Sequence, residues 1–314
     1  MQLPEEAWHT LLSSWAPSTA KIYECVAKRW LIFTRVHGIH PITPNINQCI
    51  QFLMEYFSTG VGHSAINTTR SCLSCFISIN GIPLGEIPVI ARYVKGTRRL
   101  RPPGGKVKHI WDPVPVLHHL KAWGPIIGLT LEQLTRRTMV LFLLATGQRL
   151  QSLHLMMRAD CQWEENSVKI KFSQRLKTND PIHSPLTLIF HKHEDESLCV
   201  FAHIWAYLAN GHTTPAAPFV FSTVRLPTVR ASPATISRQV RTTLRLAGVQ
   251  NSYTAYSARH AATSAAARSN IPVNSILQSA GWTTETTFGR FYNRPLQSPS
   301  LEEAETNFIP RLLD

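Results

Sequence analysis

Apolar residues recur every three to four positions through residues 15–100, the spacing that places them along one face of an α-helix. In the first run, Ile22, Val26, Trp30 and Phe33 fall on a single stripe. The four helices predicted from this pattern are bounded by Ser18 and His37-Gly38, by Thr43-Pro44 and Gly60, by Ser64 and Asn80-Gly81, and by residues 88 and 95. Four helices joined by brief turns indicate a small helical bundle.

Beyond residue 112 the pattern becomes a mixture of helical runs and two short segments of alternating polarity. The alternating segments, residues 167–172 and 186–190, are predicted strands, and the polar stretch between them is predicted to be a hairpin-like turn. The predicted helices of this region are residues 113–120, 131–144, 198–208, 235–247, 257–269 and 273–280. The strongly apolar run 131–144 is expected to be a buried central helix, and residues 219–221 a short buried extended piece.

Basic residues gather at the end of the first region and just beyond it, with no acid among them. They are Arg92, Lys95, Arg98, Arg99, Arg101, Lys106 and Lys108. Because Pro102-Pro103-Gly104-Gly105 breaks regular structure, residues 101–111 are predicted to link a helical domain of residues 1–100 to a second domain of residues 112–314. The basic segment is interpreted either as a solvated hinge or as a strap that contacts DNA phosphates, and a linker between two DNA-clasping domains would be both.

The composition favours a folded protein with a polyanionic partner. The chain has 314 residues, of which 44% are hydrophobic, which suits two packed domains and argues against wholesale disorder. Lys and Arg number 32 against 19 Asp and Glu, and the net charge of +13 favours nucleic acid over a membrane surface, although many stable proteins are basic. With no signal-peptide layout and no run apolar enough to span a bilayer, an intracellular protein is expected.

Cysteine and histidine usage predicts no metal site. Of six cysteines only Cys72 and Cys75 lie close together, and they lack a second ligand pair at zinc-like spacing, so both are interpreted as core thiols. The absence of a disulfide framework fits a reducing compartment. The two histidines and two acids within residues 191–195 could ligate a metal, but their place beside a predicted strand end favours a polar turn.

Five short motifs place arginines, a lysine, an indole and a phenol in a fixed order along the chain. They are Ala145-Thr-Gly-Gln-Arg149, Lys177 between the predicted strands, Tyr256-Ser-Ala-Arg259-His260, Gly281-Trp282 and Phe291-Tyr292. Two guanidinium groups, a ring N–H donor and a phenol suit attack on a phosphodiester. A basic chain that binds DNA would supply that substrate.

In this order the motifs resemble those of the tyrosine recombinase (phage integrase) family, and the resemblance covers the whole chain. More narrowly, the stretch from Trp282 through Tyr292 to Pro295, with Arg101-Pro-Pro and Ile110-Trp-Asp112, resembles recombinases of eukaryotic DIRS-type retrotransposons. The resemblance implies a mainly α fold, in which an N-terminal helical core-binding bundle joins an α+β catalytic domain with a small antiparallel sheet. It also implies that the two domains form a C-shaped clamp on double-stranded DNA.

The activity implied by the resemblance is DNA strand exchange, in recombination or integration, without a metal or nucleotide cofactor. A tyrosine attacks the phosphodiester, forms a 3′-phosphotyrosine and releases a 5′-hydroxyl, and the hydroxyl of a partner strand later reverses the step. Tyr292 is the candidate nucleophile. A phenol has a pKa of about 10 and needs nearby cations to react, which Arg149 and Arg259 would supply while binding the phosphate oxygens.

Three further side chains occupy family positions. Trp282 stands where the family has His or Trp, and its N–H can donate to the phosphate. Lys177 matches the hairpin lysine and would protonate the departing 5′-oxygen as general acid, with Arg175 as a rival that gives up a proton far less readily. Tyr256 stands where the family usually has His, and its neutral hydroxyl can bond a phosphate oxygen but is a weak base at pH 7.

Two other positions depart from the family pattern. Ser152 stands three residues after Arg149, where an acidic residue often orients that arginine. Tyr292 lies ten positions after Trp282, whereas the family more often spaces these residues by nine, and Phe291 occupies the usual position.

Two alternatives to an active recombinase stay open. The chain could be a catalytically impaired DNA-binding protein of the same fold, or a helical scaffold with no nucleic-acid role. The resemblance also implies a homo-oligomer, a tetramer on DNA, in which a C-terminal tail (here residues 301–313) passes to a neighbouring subunit. No membrane partner is expected, and the protein would act in the nucleus if its source is eukaryotic.

Overall fold

The computed structural model describes residues 5–102, 109–177, 185–210, 217–224, 229–282, 285–291 and 294–296. The chain divides into two compact units, Met1–Lys106 and Val107–Asp314. The elements of the first unit are helices α1 (Glu5–Ser13), α2 (Pro17–Val36), α3 (Ile46–Ser58) and α4 (His63–Leu73), strands β1 (Ser78–Ile79) and β2 (Ile82–Pro83), and helix α5 (Pro88–Leu100).

The predicted apolar stripe of α2 is largely confirmed. Val26, Trp30 and Phe33 are buried in the core of the first unit, whereas Ile22 is 51% exposed. The predicted N-terminal caps are wrong, because they depend on local side-chain geometry that apolar spacing does not report, whereas the predicted end of α2 at His37 is confirmed. Pro17 already lies inside α2, so Ser18 is not its cap, and the first-unit cap that does form is Asn45 on α3.

The third predicted helix ends earlier than its pattern indicated. α4 begins after Gly62 rather than at a Ser64 cap, and it stops at Leu73. A turn follows, and Ser78–Ile79 then forms the antiparallel pair β1–β2 with Ile82–Pro83, in which Ile79 pairs with Ile82. Asn80 and Gly81 both have positive φ, 53° and 77°, which is the conformation of a two-residue hairpin turn. The Asn-Gly pair therefore marks a hairpin and not a helix end.

The last helix of the first unit is longer than predicted and carries part of the basic segment. α5 runs to Leu100 and buries Ile90, Val94 and Thr97. Its exposed residues include Arg92, Lys95, Arg98 and Arg99, which are therefore helical and not part of an irregular strap. Arg101 follows α5 and donates from Nη1 to the backbone oxygens of Phe57 and Val61, so it also stabilises this unit. Lys106 and Lys108 lie outside the described residues.

The second unit is mainly helical with one small sheet, which confirms the predicted fold class. Its elements are α6 (Pro113–Lys121), α7 (Leu131–Thr146), α8 (Leu150–Leu155), β3 (Cys161–Trp163), β4 (Ser167–Lys171), β5 (Thr187–His191), α9 (Val200–Ala209), α10 (Pro233–Leu246), α11 (Ser257–Arg268), α12 (Val273–Ala280) and α13 (Glu285–Phe291).

Helix α7 is the centre of the second unit, as its apolar run predicted. It packs against α9, α10 and α11, and nearly all its residues from 134 to 143 are buried. The sheet is antiparallel with strand order β3–β4–β5, and the predicted hairpin partners pair through Val168↔Phe190 and Ile170↔Leu188. Strand β3 and the short helices α1, α8 and α13 were not predicted.

The remaining predictions on chemistry-bearing side chains have mixed outcomes. Cys72 is buried as expected, but Cys75 is exposed and bonds the backbone of Ser71 through its thiol, so it is not a core residue. Asp195 caps the turn after β5 through the backbone N–H of Ser197, in agreement with a polar turn. Within the described ranges, no three His, Cys, Asp or Glu side chains are grouped as metal ligands, and no helix could cross a membrane.

Candidate active site

The first part of the site is the tight turn between α7 and α8. Gly147 ends α7 in the left-handed conformation, with φ 63°, and a Cβ added there would lie 2.5 Å from Cγ2 of Thr263 on α11. Only glycine meets both conditions, because the backbone is left-handed and α11 approaches it closely. The turn places Arg149 at the start of α8, where it is partly exposed.

The second part is Arg259, which is only 1% exposed on α11. Its Nη1 donates to the backbone oxygen of Gly147 at 2.6 Å and to that of Ala280 at 2.8 Å. These two carbonyls close the C-terminal ends of α7 and α12, where the helix dipoles are negative. The dipoles and the two hydrogen bonds offset the desolvation of the guanidinium, and one arginine thereby joins two helix ends.

The third part is Trp282, which follows the end of α12. Gly281 ends that helix in the left-handed conformation, with φ 69°, and Trp282 is 8% exposed beside it. The guanidinium carbon of Arg259 lies 4.0 Å from the centre of the Trp282 ring, a cation–π contact. The indole also packs against Phe288 of α13, and the centres of the two rings are 5.8 Å apart.

The structure therefore brings together three of the predicted site segments. Arg259 contacts Trp282 directly and contacts the backbone two residues before Arg149. Tyr256 lies at the start of α11, three residues before Arg259, and is 41% exposed with its ring edge against His260. Arg259 and the accessible phenol of Tyr256 thus lie in the first turn of α11, and Arg259 joins this turn to the helix ends beside Arg149 and Trp282.

Lys177 lies where it was predicted, in the connection between β4 and β5. It is exposed, and Leu176 beside it is buried in the core of the second unit. The base of the connection is also held, because the backbone N–H of Ser173 donates to the buried carboxylate of Asp160 at 3.1 Å. Arg175, the rival acid, is exposed in the same connection.

Tyr292, the predicted nucleophile, lies outside the described residues, but the chain on both sides of it is anchored. On the near side, Phe288 of α13 packs on Trp282. On the far side, the backbone N–H of Arg294 donates to Oγ of Ser264 on α11 at 3.1 Å. Pro295 accepts from the backbone N–H of Ile110 at 3.0 Å.

Sequence reasoning missed a basic face on α10. Arg238, Arg241 and Arg245 are exposed at intervals of three and four residues, and Ile236, Val240 and Leu244 are buried on the opposite face. The helix contains no acid. The signal was present in the sequence, because arginines are the only charged residues of the predicted helix over residues 235–247.

The fold and this cluster define a mainly helical protein that gathers arginine and indole where α7 and α12 end. The phage integrase family matches residues 127–298, more than half of the chain. The chain therefore belongs to the phage integrase family, the tyrosine recombinases. Among curated protein sequences, none matches the chain.

Several solved structures share this fold. The XerH site-specific recombinase bound to its difH substrate has a TM-score of 0.53 at 13% identity, over 78% of this chain and 66% of that chain. A lambda integrase dimer bound to a COC′ core site has a TM-score of 0.52 at 14% identity, over 96% and 98% of the two chains. The Tn1549 transposon integrase with circular intermediate DNA has a TM-score of 0.54 at 12% identity, over 92% and 99%.

Proposed function

We propose that this chain cleaves and rejoins DNA strands, with Tyr292 as nucleophile. The observation that carries the proposal is the contact of Arg259 with Gly147 and Ala280, each two residues from another predicted site residue. Motif pieces more than a hundred positions apart in the sequence converge there. A recombinase needs such convergence, because one phosphate must meet several cations and donors at once.

The proposed reaction has two balanced transfers. The Tyr292 hydroxyl releases its proton to water and its oxygen bonds to phosphorus, giving a 3′-phosphotyrosine, while the bond from phosphorus to the 5′-oxygen breaks. The departing oxygen takes a proton from Lys177. Rejoining is the reverse, with the 5′-hydroxyl of a partner strand as nucleophile, so no metal or nucleotide is needed.

Arg149 and Arg259 are proposed to offset the charge that grows on the phosphate oxygens in the transition state, and their cations favour the phenolate form of the nucleophile. Trp282 is proposed to donate its indole N–H to the same phosphate. Tyr256 is exposed next to Arg259 and is proposed as a neutral phosphate contact in place of the usual histidine. The short anchors on either side of Tyr292 support its assignment, since they tie the flanking chain to Trp282 and to α11.

The proposed DNA surface uses exposed basic helix faces in both units. On α5, Arg92, Lys95 and Arg99 follow one another at intervals of three and four residues, which is also the spacing of the arginines on α10. Such rows of cations suit the phosphate backbone of DNA, and their binding releases counterions from the DNA. Residues 1–100 are accordingly proposed as a core-binding domain, 101–111 as a linker with basic contacts from Arg101, Lys106 and Lys108, and 112–314 as the catalytic domain.

The proposed assembly is a tetramer on DNA. Residues 301–313 contain acids together with Phe308, Ile309 and Leu312, and they are proposed to pass to a neighbouring subunit. Deleting residues 300–314 is expected to impair assembly on DNA more than binding by one subunit, as measured by band-shift titration. The narrower proposal is a DIRS-type retrotransposon recombinase that acts in a nucleus, and it rests on the motifs around Trp282 and Ile110.

The direct test of function uses a pool of random-sequence duplexes nicked so that the short 5′-hydroxyl strand diffuses away after cleavage. The wild type is expected to accumulate protein–DNA that withstands denaturation, Tyr292→Phe to form none, and Tyr207→Phe, a change in the core, to react normally. DNA binding without any covalent product would instead support the impaired DNA-binding protein, which the Tyr256 replacement favours. A DNA affinity that is absent, or that does not fall steeply with salt, would support the helical scaffold with no nucleic-acid role.

A further inference from the structure

A buried hydrogen-bond network joins the turn before Arg149 to the end of α12 before Trp282. At its centre lies the side chain of Gln148, which is 3% exposed. Its Nε2 donates to the backbone oxygen of Ser279 at 2.6 Å, and its Oε1 accepts from Oγ of Ser152 at 2.8 Å. One amide therefore spans from α8 to α12.

The chemistry of the partners fixes how this amide is oriented. The oxygen of Ser279 can only accept, so it must face the NH₂ group of Gln148. The hydroxyl of Ser152 then donates to the amide oxygen. A carboxylate of the same length would place an oxygen against the Ser279 carbonyl, and an apolar side chain would make neither bond.

A second set of bonds closes the network around Thr146. Oγ of Ser279 donates to the backbone oxygen of Thr146 at 3.0 Å, and the backbone N–H of Gln148 donates to the Thr146 hydroxyl at 3.2 Å. Residues 146–148 are thus tied to Ser279 by bonds that run in both directions. Every one of these groups is hidden from water or partly so, where such bonds hold geometry most firmly.

We propose that Gln148 is a positioning residue that sets the placement of Arg149 relative to Trp282 by bonding Ser152 and Ser279. Ser152 takes part through Gln148 and makes the network possible without the acid that the family often has at its position. The proposal rests on the proposed function, because its effect is on placing two groups around one phosphate. A misplacement of about 1 Å in such a site can lower a rate about 100-fold.

The first test is Gln148→Met, which keeps the side-chain length and removes both bonds. The rate of covalent complex formation on the nicked duplex is expected to fall about 10- to 100-fold, with DNA affinity changed less than about twofold. Gln133→Met is the matched control, because Gln133 makes a capping box at the opposite end of α7 and the change removes it. The control is expected to lower the melting temperature and leave the rate of folded protein unchanged.

The second test is Gln148→Glu, which adds a pH readout that a merely structural role would not produce. When protonated, the new carboxyl can donate to Ser279 and accept from Ser152, as the amide does, and burial favours that neutral form. The cleavage rate relative to wild type is therefore expected to rise about tenfold or more as pH falls from about 8 to 6, with both proteins folded throughout.

The outcomes separate the two proposals. If the wild type forms no covalent product, the proposed function fails. If the wild type reacts and Gln148→Met reacts as fast, or if Gln148→Glu shows a flat rate ratio across pH, the positioning role is overturned. A rate loss equal to that of Gln133→Met, in proportion to unfolded protein, would also overturn it.

Discussion

Two buried arginines in the second unit show what distinguishes a site from a structural anchor. Arg137 and Arg259 are among the largest fully buried side chains of the described chain, and both bond two backbone carbonyls. By burial alone they are equivalent. Each needs its charge offset, because an unpaired buried guanidinium would be strongly unfavourable.

Their partners differ. Arg137 donates to the backbone oxygens of Ser197 at 2.9 Å and Gly124 at 2.7 Å, which lie in the 3₁₀ turn before α9 and in the loop after α6. Burial lowers the pKa of Arg137, and the nearby acids Asp195 and Glu196 act in the opposite direction. Arg259 instead joins two helix ends and an indole. A buried arginine indicates a site only when the segments that it joins carry the other chemical groups.

The largest expected effect comes from making the same substitution at both positions. Arg259→Lys is expected to lower the rate of covalent complex formation about 100- to 1000-fold, because a lysine cannot reproduce the planar fork against helix ends and phosphate. Arg137→Lys is expected to leave the rate per folded molecule unchanged. Single-turnover cleavage of the nicked duplex measures both, and equal losses would remove the distinction drawn between the two arginines.

The next effect is on stability. Arg137→Met removes the donors that satisfy the Ser197 and Gly124 oxygens, and it is expected to lower the free energy of unfolding by about 3 kcal/mol. Urea titration followed by tryptophan fluorescence measures this loss. A loss well below 1 kcal/mol would show that water replaces the guanidinium, so that Arg137 is not an anchor.

A smaller effect tests the close approach at the site turn. Gly147→Ala and Gly38→Ala both place alanine at a φ of 63°, but only the first meets an obstacle, Cγ2 of Thr263 at 2.5 Å. Gly147→Ala is therefore expected to cost about 1–3 kcal/mol more than Gly38→Ala. Adding Thr263→Ser, which removes that methyl group, is expected to restore most of the difference in urea titrations. If Thr263→Ser restored no stability, the contact with Cγ2 of Thr263 would not be the cause of the loss.

The smallest expected effect is the pH dependence of stability that Asp195, an acid near Arg137, contributes. Hydrogen bonds from Lys121 and from Ser197 lower the pKa of Asp195 to about 2. The ionised Asp195 carboxylate therefore stabilises the fold at pH values above its unfolded pKa of about 4, and this contribution is lost as pH falls toward 2. Asp195→Asn is expected to be slightly less stable than wild type at pH 7 and equal to it near pH 2. A stability difference that does not change with pH would contradict the assignment.

The long amphipathic helices could be predicted from the sequence, and the order of the motifs indicated the family. The central helix α7 and the hairpin β4–β5 are confirmed because their apolar patterns extend over enough residues to show a period. The helices α8 and α13 have only 6 and 7 residues, fewer than any helix that was predicted, and the pattern is too short to reveal them. The hairpin at Asn80-Gly81 was missed because an apolar run continued past the true end of α4.

Candidate site residues could be proposed from the sequence, but the backbone contacts that hold them could not. Gly147 and Ala280 bond Arg259 through backbone oxygens, which leave no trace in residue identity. Ser152 stands where the family often has an acid, and its bond to Gln148 belongs to a network that needs tertiary contact between distant segments. Such contacts are set by packing and not by local spacing.

The most direct test of the account is to locate the covalent bond to DNA. Digestion of the trapped complex and mass spectrometry are expected to find a nucleotide joined through its 3′-phosphate to the peptide that contains Tyr292, and the adduct should disappear in Tyr292→Phe. An adduct on Tyr256 or on any other residue, or a wild-type chain that binds DNA and forms no adduct, would contradict it.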